Sequence, residues 1–350
     1  MQNILLINNG YPSQTNPQYS TYIKSIHDCL QESGLHVELL ILDTNFKTKK
    51  EKIFKYMNYY KKLFLHDYSK HDYVYIHNYP HSFLPLIFKL SKMKNLTIHW
   101  HGTDIFAPSK LSKYLNMISY LFLPATAKHM TPSNYFADMV SEKLSIDRKK
   151  ILVSPSGGID TSIFKVQKIN KKDEVVLGFA SSMRTDKGMD FVLKLIQNAE
   201  EIEKLTNKKI KLLCINYGSE KAHYSDELQK VSNVKIIEPV PKNQMVTFYE
   251  QIDLLLLSTR MAESLALVGL EAMSCDVPVV GTNDFAIKEY VVDGISGEKF
   301  EKADFASFQK AVIAAINNLE NYSPRDIVLK QYSKEHVVAQ YKKYFGADNE

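Results

Sequence analysis

"DLLLLSTRMAESLALVGLEAMSCDVPVVGT", residues 253–282, reads as strand, loop, helix and strand in succession. The apolar run that opens it is too short for a helix and ends near Ser258, followed by polar or small residues over 259–264. A helix is expected from about Leu265 to Ser274, and "VPVVGT" (277–282) returns as a second apolar strand. Apolar strands joined through a helix pair in parallel and are buried on both faces. The loop after the first strand therefore opens at the carboxyl end of the sheet, where ligands of open parallel sheets bind. Glu263 lies in that loop and Glu271 is expected roughly two turns into the helix.

The same alternation runs outward in both directions. "NILLIN" (3–8), a helix near Tyr19–Ser33, "HVELLIL" (36–42), "DYVYIH" (72–77), a helix from about Ser82, "NLTIHW" (95–100), "YLFLPA" (120–125) and "KILVSP" (150–155) make one set. "KVQKINKKDE" (165–174) is polar and lysine-rich and reads as a linker. A second set follows in "VVLGFASS", "KIKLLCINYG", "NVKIIEPV", "DLLLLST" and "VPVVGT". This is an α/β chain of two Rossmann-like parallel-sheet domains facing a cleft. Their expected limits are 1–164 for the first domain, 165–174 for the linker and 175–325 for the second. Residues 326–350 carry a last helix, about Glu335–Tyr344, that packs back on the first domain.

Composition agrees with a globular chain: 350 residues, 45% hydrophobic and 24% charged, with no low-complexity tract. The cysteines Cys29, Cys214 and Cys275 each sit in an apolar stretch without zinc-site spacing, as reduced, buried thiols do in a cytoplasmic protein. No signal peptide and no membrane-spanning run is expected. Residues 1–165 carry 20 Lys+Arg against 12 Asp+Glu, and the remainder 24 against 27, so the positive excess lies in the first half. That half is expected to face something anionic. Nucleic acid is a poor fit, because the excess is modest and no recognition motif is present.

Other strand ends carry chemistry as well. After "NLTIHW" comes His101-Gly102-Thr103-Asp104, where a neutral imidazole can donate to a hydroxyl or carbonyl, or merely satisfy loop backbone. His99 lies two residues earlier, and without a third ligand at useful spacing no metal site is expected. After "VVLGFASS", Arg184 and Lys187 precede the helical "GMDFVLKLI", where cations suit an anion shared with the helix amides or serve as surface charges. Amides around Ala266–Val268 would offer a phosphate seat between Glu263 and Glu271, although a capping acid and a solvated glutamate are the plainer alternatives. Gly218 in "INYGSE" allows backbone to pass a base or ribose, or simply makes a turn. No P-loop, no GxGxxG and no Asp-x-Asp is present, so any diphosphate must be neutralised without a metal bridge.

Taken in order, these segments resemble the retaining GT-B-fold glycosyltransferases of family 4, the "glycosyl transferases group 1" type with an E-x7-E signature. Glu263 and Glu271 have that spacing, and "SPSGGIDTSIF", "MRTDKGMDFVLKLI", "AMSCDVPVV" and "EYVVDGISGEKF" are similar to the family's other segments. The resemblance implies a hexosyltransferase-type enzyme (EC 2.4) that moves a sugar from a nucleotide-sugar to a glycan or lipid-linked acceptor. Retention of configuration and no metal or cofactor are implied too. A UDP-sugar is favoured and a GDP-sugar is the alternative. Arg184 and Lys187 would contact the diphosphate, Glu263 and His101 the transferred sugar, and Glu271 the ribose. Leu267 and Val268 would seat the distal phosphate, with Ser264 and Gly218 among the donor contacts. The acceptor side would involve Gly10, Tyr11, Gln18 and Tyr19. The first loop departs from the family by its lone Gly10, and Ala266 stands where glycine is common.

Residues 47–62, "KTKKEKIFKYMNYYKK", carry seven lysines and one glutamate among aromatic and aliphatic residues. Such a helix suits an anionic membrane surface, making the enzyme cytoplasmic and peripheral on the inner face of the membrane, or else buries its aromatics in the core. A sugar-nucleotide epimerase and a non-catalytic nucleotide-sugar or glycan-binding protein are the other functions compatible with the fold.

Overall fold

The computed structural model describes residues 2–13, 19–107, 109–166 and 173–346. Two compact units emerge: Met1–Gly158 with Lys334–Glu350, and Ile159–Ser333. Residues 159–164, expected with the first domain, pack into the second. Ile159 and Phe164 are buried in its core, and the Ile159 N–H bonds the Tyr332 carbonyl at 2.8 Å. Arg325 locks this segment by donating to the carbonyls of Phe164 and Thr161, each at 2.9 Å.

The first unit holds a six-stranded parallel sheet in the order β2-β1-β3-β4-β5-β6. Its strands are β1 Asn3–Asn8, β2 His36–Ile41, β3 Tyr73–His77, β4 Leu96–His99, β5 Lys128–Thr131 and β6 Ile151–Val153. Alternate residues of β1 feed opposite faces. Ile4 and Leu6 pack with Ile23 and Ile26 of the Thr21–Glu32 helix and with Val337, Tyr341 and Phe345 at the C-terminus. Leu5 and Ile7 pack with Tyr59, Leu63 and Phe136 on the other side. The Lys334–Tyr344 helix thus belongs to the first unit, because its apolar face completes that unit's core.

Two local expectations are corrected. "YLFLPA" is not a strand: the Lys110–Tyr120 helix runs into it, and turns follow at Leu121 and Phe122, which are exposed. The strand at this place is "KHMT" (128–131), whose mixed composition hides it until its neighbours bury it. The helix from Ser82 is only Phe83–Leu86, continuing as a 3-10 turn over Ile87–Lys92.

The second unit carries β7 Glu174–Phe179, β8 Lys209–Ile215, β9 Val234–Ile237, β10 Leu254–Leu257, β11 Val279–Thr282 and β12 Gly297–Phe300. The order is β12-β11-β10-β7-β8-β9, all parallel. Strand order reverses between β7 and β10, so the crossovers leave to opposite sides and open a crevice at the ends of these two strands. In the first unit the corresponding reversal lies between β1 and β3.

Candidate functional site

The β7 exit carries Arg184 and Lys187, and the β10 exit carries Glu263, so the reversal point of the second unit brings these residues to one crevice. Gly188, at φ 81°, lets the exits close on each other: a Cβ there would overlap the carbonyl of Ser258, the residue that follows β10. Across this junction Lys187 Nζ forms an ion pair with Glu263 Oε1. Both side chains are about one-fifth exposed, 19% and 21%, so water screens the pair only partly. Arg184 pairs with Asp186 and donates to Met261 Sδ at 3.3 Å. Arg260 is drawn to Asp190 and lies over the Phe191 ring.

The helix after β10 is Leu267–Ser274, two residues shorter at its start than expected. Ala266 occupies the N-cap in the left-handed conformation, φ 54° and ψ 65°, and its carbonyl accepts from Tyr290 OH at 3.2 Å. Glu271 is therefore about one turn into the helix, not two. It is buried, accepting from Tyr249 OH at 3.0 Å and facing Lys242 Nζ at 3.8 Å. Burial raises its carboxyl above the usual range, and the Lys242 charge and the Tyr249 hydroxyl pull back the other way. The alternative of a solvated helix glutamate is thereby removed. Both acids also reach one phenol electrostatically: burial first, then the charges of Glu263 and Glu271, push Tyr217 up to about 12. Gly218, at φ 122°, makes a close approach to protein backbone, since a Cβ would stand 2.7 Å from the Met183 amide nitrogen. The first amides of the Leu267–Ser274 helix, Leu267 and Val268, have no partner within the helix, and Ser264 lies on the loop before it.

In the first unit, β3 and β4 are in register with His77 opposite His99, so both rings share a face with His101 just beyond. His77 Nδ1 and His101 Nε2 are 2.7 Å apart. The His101 ring stacks on His99 at 4.2 Å and meets the Tyr22 ring at 4.6 Å from centroid to centroid. Burial holds His101 down at about 3, so it is neutral across the physiological range. The buried Asp104 carboxylate accepts from the His101 and Gly102 amides at 2.9 and 2.7 Å, shaping the turn. Its own carboxyl is raised to about 6 by burial, against the pull of those amides. The sequence expectation of no third histidine is thus corrected: His77 joins through strand pairing. The head-to-head nitrogens of His77 and His101 stand at hydrogen-bonding distance, and His77, His99 and His101 each offer a ring nitrogen within 4.8 Å of the others.

At the first reversal point, Asn8 and Asn78 bridge β1 and β3 by a 2.9 Å hydrogen bond. Gly10 is buried beneath the ring of Tyr19, and Tyr11 OH bonds His27 Nδ1 at 2.9 Å. Gln18 lies outside the described residues. Sequence reasoning missed His77, Asp104, Lys242 and Tyr249. Only Asp104, three residues after His101, carried a local signal, that of an acid capping a turn.

Residues 160–334 match the family model described as "Glycosyl transferases group 1". A lipopolysaccharide 1,2-N-acetylglucosaminetransferase of Salmonella typhimurium is 25% identical over 186 residues, 49% of this chain and 48% of that one. The chain spans about half the length of the curated relatives it matches, 48% in each of the first two. Among solved structures, the sucrose-phosphate synthase from Thermosynechococcus elongatus superposes with a TM-score of 0.75 at 14% identity, covering 99% of this chain and 100% of the other. HepE of Anabaena, in complex with UDP and glucose, gives 0.70 at 13%, again over 99% and 100%. At these identities the structural likeness concerns the fold, which is the two-sheet GT-B arrangement.

Proposed function

The chain belongs to the glycosyl transferases group 1 family, and on that premise we propose that it is a retaining, metal-independent glycosyltransferase using a nucleotide-sugar. The observation that carries the proposal is the Lys187–Glu263 pair beside Arg184 at the reversal point of the second sheet. Arg184, Lys187 and the Leu267 and Val268 amides neutralise the diphosphate. Glu271, oriented by Tyr249 and Lys242, takes the ribose hydroxyls, with Ser264 and Gly218 bordering the nucleotide. Glu263 takes a sugar hydroxyl. His101 donates a hydrogen bond to the sugar, and Gly10, Tyr11 and Tyr19 border the acceptor. In the reaction, the bond from the anomeric carbon to phosphate oxygen breaks and a bond to the acceptor oxygen forms on the same face. The acceptor's proton passes to the leaving phosphate. Cations and aligned amides serve this step better than a strong base, because negative charge grows on the diphosphate.

UDP is favoured over GDP as the nucleotide, in keeping with the UDP bound by the HepE structure. The acceptor is a glycan or lipid-linked sugar of surface polysaccharide or glycolipid synthesis, in line with the lipopolysaccharide relative. The test is a thermal-shift panel of UDP- and GDP-sugars and free nucleotides in excess chelator. Stabilisation by at least one sugar nucleotide and its nucleoside diphosphate is expected; no shift with any of them overturns the reading.

Contact with an anionic bilayer is part of the same proposal. No helix among the described residues is long and apolar enough to cross a membrane. The Lys49–Leu65 helix buries Tyr59 and Leu63 yet exposes Ile53, Phe54, Met57, Phe64 and Leu65 among its lysines. Exposed Phe88, Leu111, Tyr114 and Met117 in the same unit add apolar area. Lysines rimming apolar side chains match an anionic lipid surface.

A further inference from the structure

His77 and His101 share one hydrogen between His77 Nδ1 and His101 Nε2, because both rings are buried and neutral. The ring planes differ by 21° at a centroid separation of 5.0 Å, so the hydrogen bond runs close to both planes, as a good donor–acceptor pair requires. Which ring donates follows from the far side of His77. Its Nε2 is buried and has no hydrogen-bond partner among the described residues. A buried N–H without an acceptor is rarer and costlier than a buried lone pair without a donor. The proton of His77 therefore belongs on Nδ1, and His101 Nε2 accepts it.

The neighbouring ring obeys the same rule. His99 Nε2 is also buried and without a hydrogen-bond partner among the described residues, while His99 Nδ1 lies 2.6 Å from Tyr75 OH. With its proton on Nδ1, His99 donates to the Tyr75 oxygen, and Tyr75 passes its own hydrogen to Met130 Sδ at 3.0 Å. Both rings thus reach a consistent pattern without an orphaned N–H.

We propose that His77 is a positioning residue that fixes His101 in its Nδ1–H tautomer, so that His101 meets a ligand oxygen only as a hydrogen-bond donor. His99 and Tyr22 hold the ring from its two neighbours, and Asp104 holds the backbone that carries it. The assignment makes His101 a stabiliser of a sugar hydroxyl or developing negative charge and removes it as a base toward the acceptor. It rests on the glycosyl-transfer reading above for the identity of the ligand, and on this geometry alone for the tautomer.

Nitrogen NMR of histidine-labelled protein tests the tautomer directly, with the His101 signals assigned by their loss in His101→Gln. His101 is expected to show a protonated Nδ1 and an unprotonated Nε2; the reverse overturns the proposal. The second arm compares His77→Asn, whose amide nitrogen can stand where Nδ1 stands, with His77→Leu, which cannot donate. His77→Leu is expected to lower turnover of the nucleotide-sugar by about tenfold or more with the donor KM changed less than about threefold, and His77→Asn to recover most of the loss. Equal loss in both variants, or none in His77→Leu, overturns it. If His77→Leu fails to fold, or if the wild type turns over no nucleotide-sugar, the NMR result decides, and the latter outcome counts against glycosyl transfer alone.

Discussion

Lys187 and Glu263, 76 positions apart in the chain, meet as an ion pair at the adjoining ends of β7 and β10. In the resting protein each neutralises the other. On the proposed glycosyl-transfer reading, an arriving diphosphate draws Lys187 toward phosphate and leaves the Glu263 carboxylate available to a sugar hydroxyl. On that reading, donor binding and alignment of Glu263 are coupled through one contact.

Substitution at the two ends of this pair should separate their roles. Lys187→Ala is expected to weaken nucleoside diphosphate binding by about tenfold or more, since it removes a charge-assisted contact. Glu263→Gln is expected to leave that affinity equal or tighter while lowering turnover. Calorimetric titration with UDP and GDP, alongside steady-state rates, would read both; weaker binding in Glu263→Gln would contradict the coupling.

Glu271 depends on its two partners. Removing the Lys242 charge by Lys242→Met leaves a buried carboxylate with the Tyr249 hydroxyl as its hydrogen-bond donor among the described residues, so its carboxyl should rise further and stability at neutral pH should fall. Denaturant melts of Lys242→Met and of Lys242→Met with Glu271→Gln check this. The double variant is expected to recover at least part of the loss, because the uncompensated charge has gone.

Asp104 makes a pH signature. Its folded carboxyl titrates at about 6 against an ordinary 3.8, so the folded state holds more protons than the unfolded state between those values. Its contribution to stability is greatest below about 3.8, declines as pH rises through about 6, and is level above. Asp104→Asn should remove this slope from the pH dependence of the melting temperature. A slope unchanged in the variant would assign it elsewhere.

Backbone strain should be measurable at Ala266. A Cβ in the left-handed region costs about 1 kcal/mol or slightly more, so Ala266→Gly should stabilise the second unit by up to about that amount. Gly188→Ala should do the opposite, losing about 2 kcal/mol or more, since the new Cβ meets the Ser258 carbonyl at φ 81°. Chemical denaturation of both variants provides the comparison.

Surface binding should follow the exposed face of the Lys49–Leu65 helix. Ile53, Phe54 and Met57 changed together to Ser should reduce co-sedimentation with phosphatidylglycerol vesicles without altering the fold, since all three are exposed. Binding by the wild type should weaken as salt rises, at about 1 kcal/mol per lysine engaged. Equal sedimentation by wild type and variant would reject this surface.

Much of the architecture is legible in the chain because a strand buried on both faces must itself be apolar. "NILLIN" and "DLLLLST" announce β1 and β10 without reference to anything distant. The positions of Arg184, Lys187 and Glu263 just after strands, and the E-x7-E spacing, are local features of the same kind. "KHMT" escaped because its identity as β5 depends on the neighbours it pairs with.

The sequence by itself determined the strand–helix alternation, the two units and the loops that carry charge, since each depends on residues within a few turns of one another. Tertiary structure alone decided that Lys187 faces Glu263, that Lys242 and Tyr249 hold Glu271, and that His77 stands in hydrogen-bonding contact with His101. Those meetings follow from strand order and register, which are settled when whole apolar faces are buried together. Ala266 stands in the sequence where glycine is common, and only the tertiary structure shows why: the start of its helix forces it into the left-handed region.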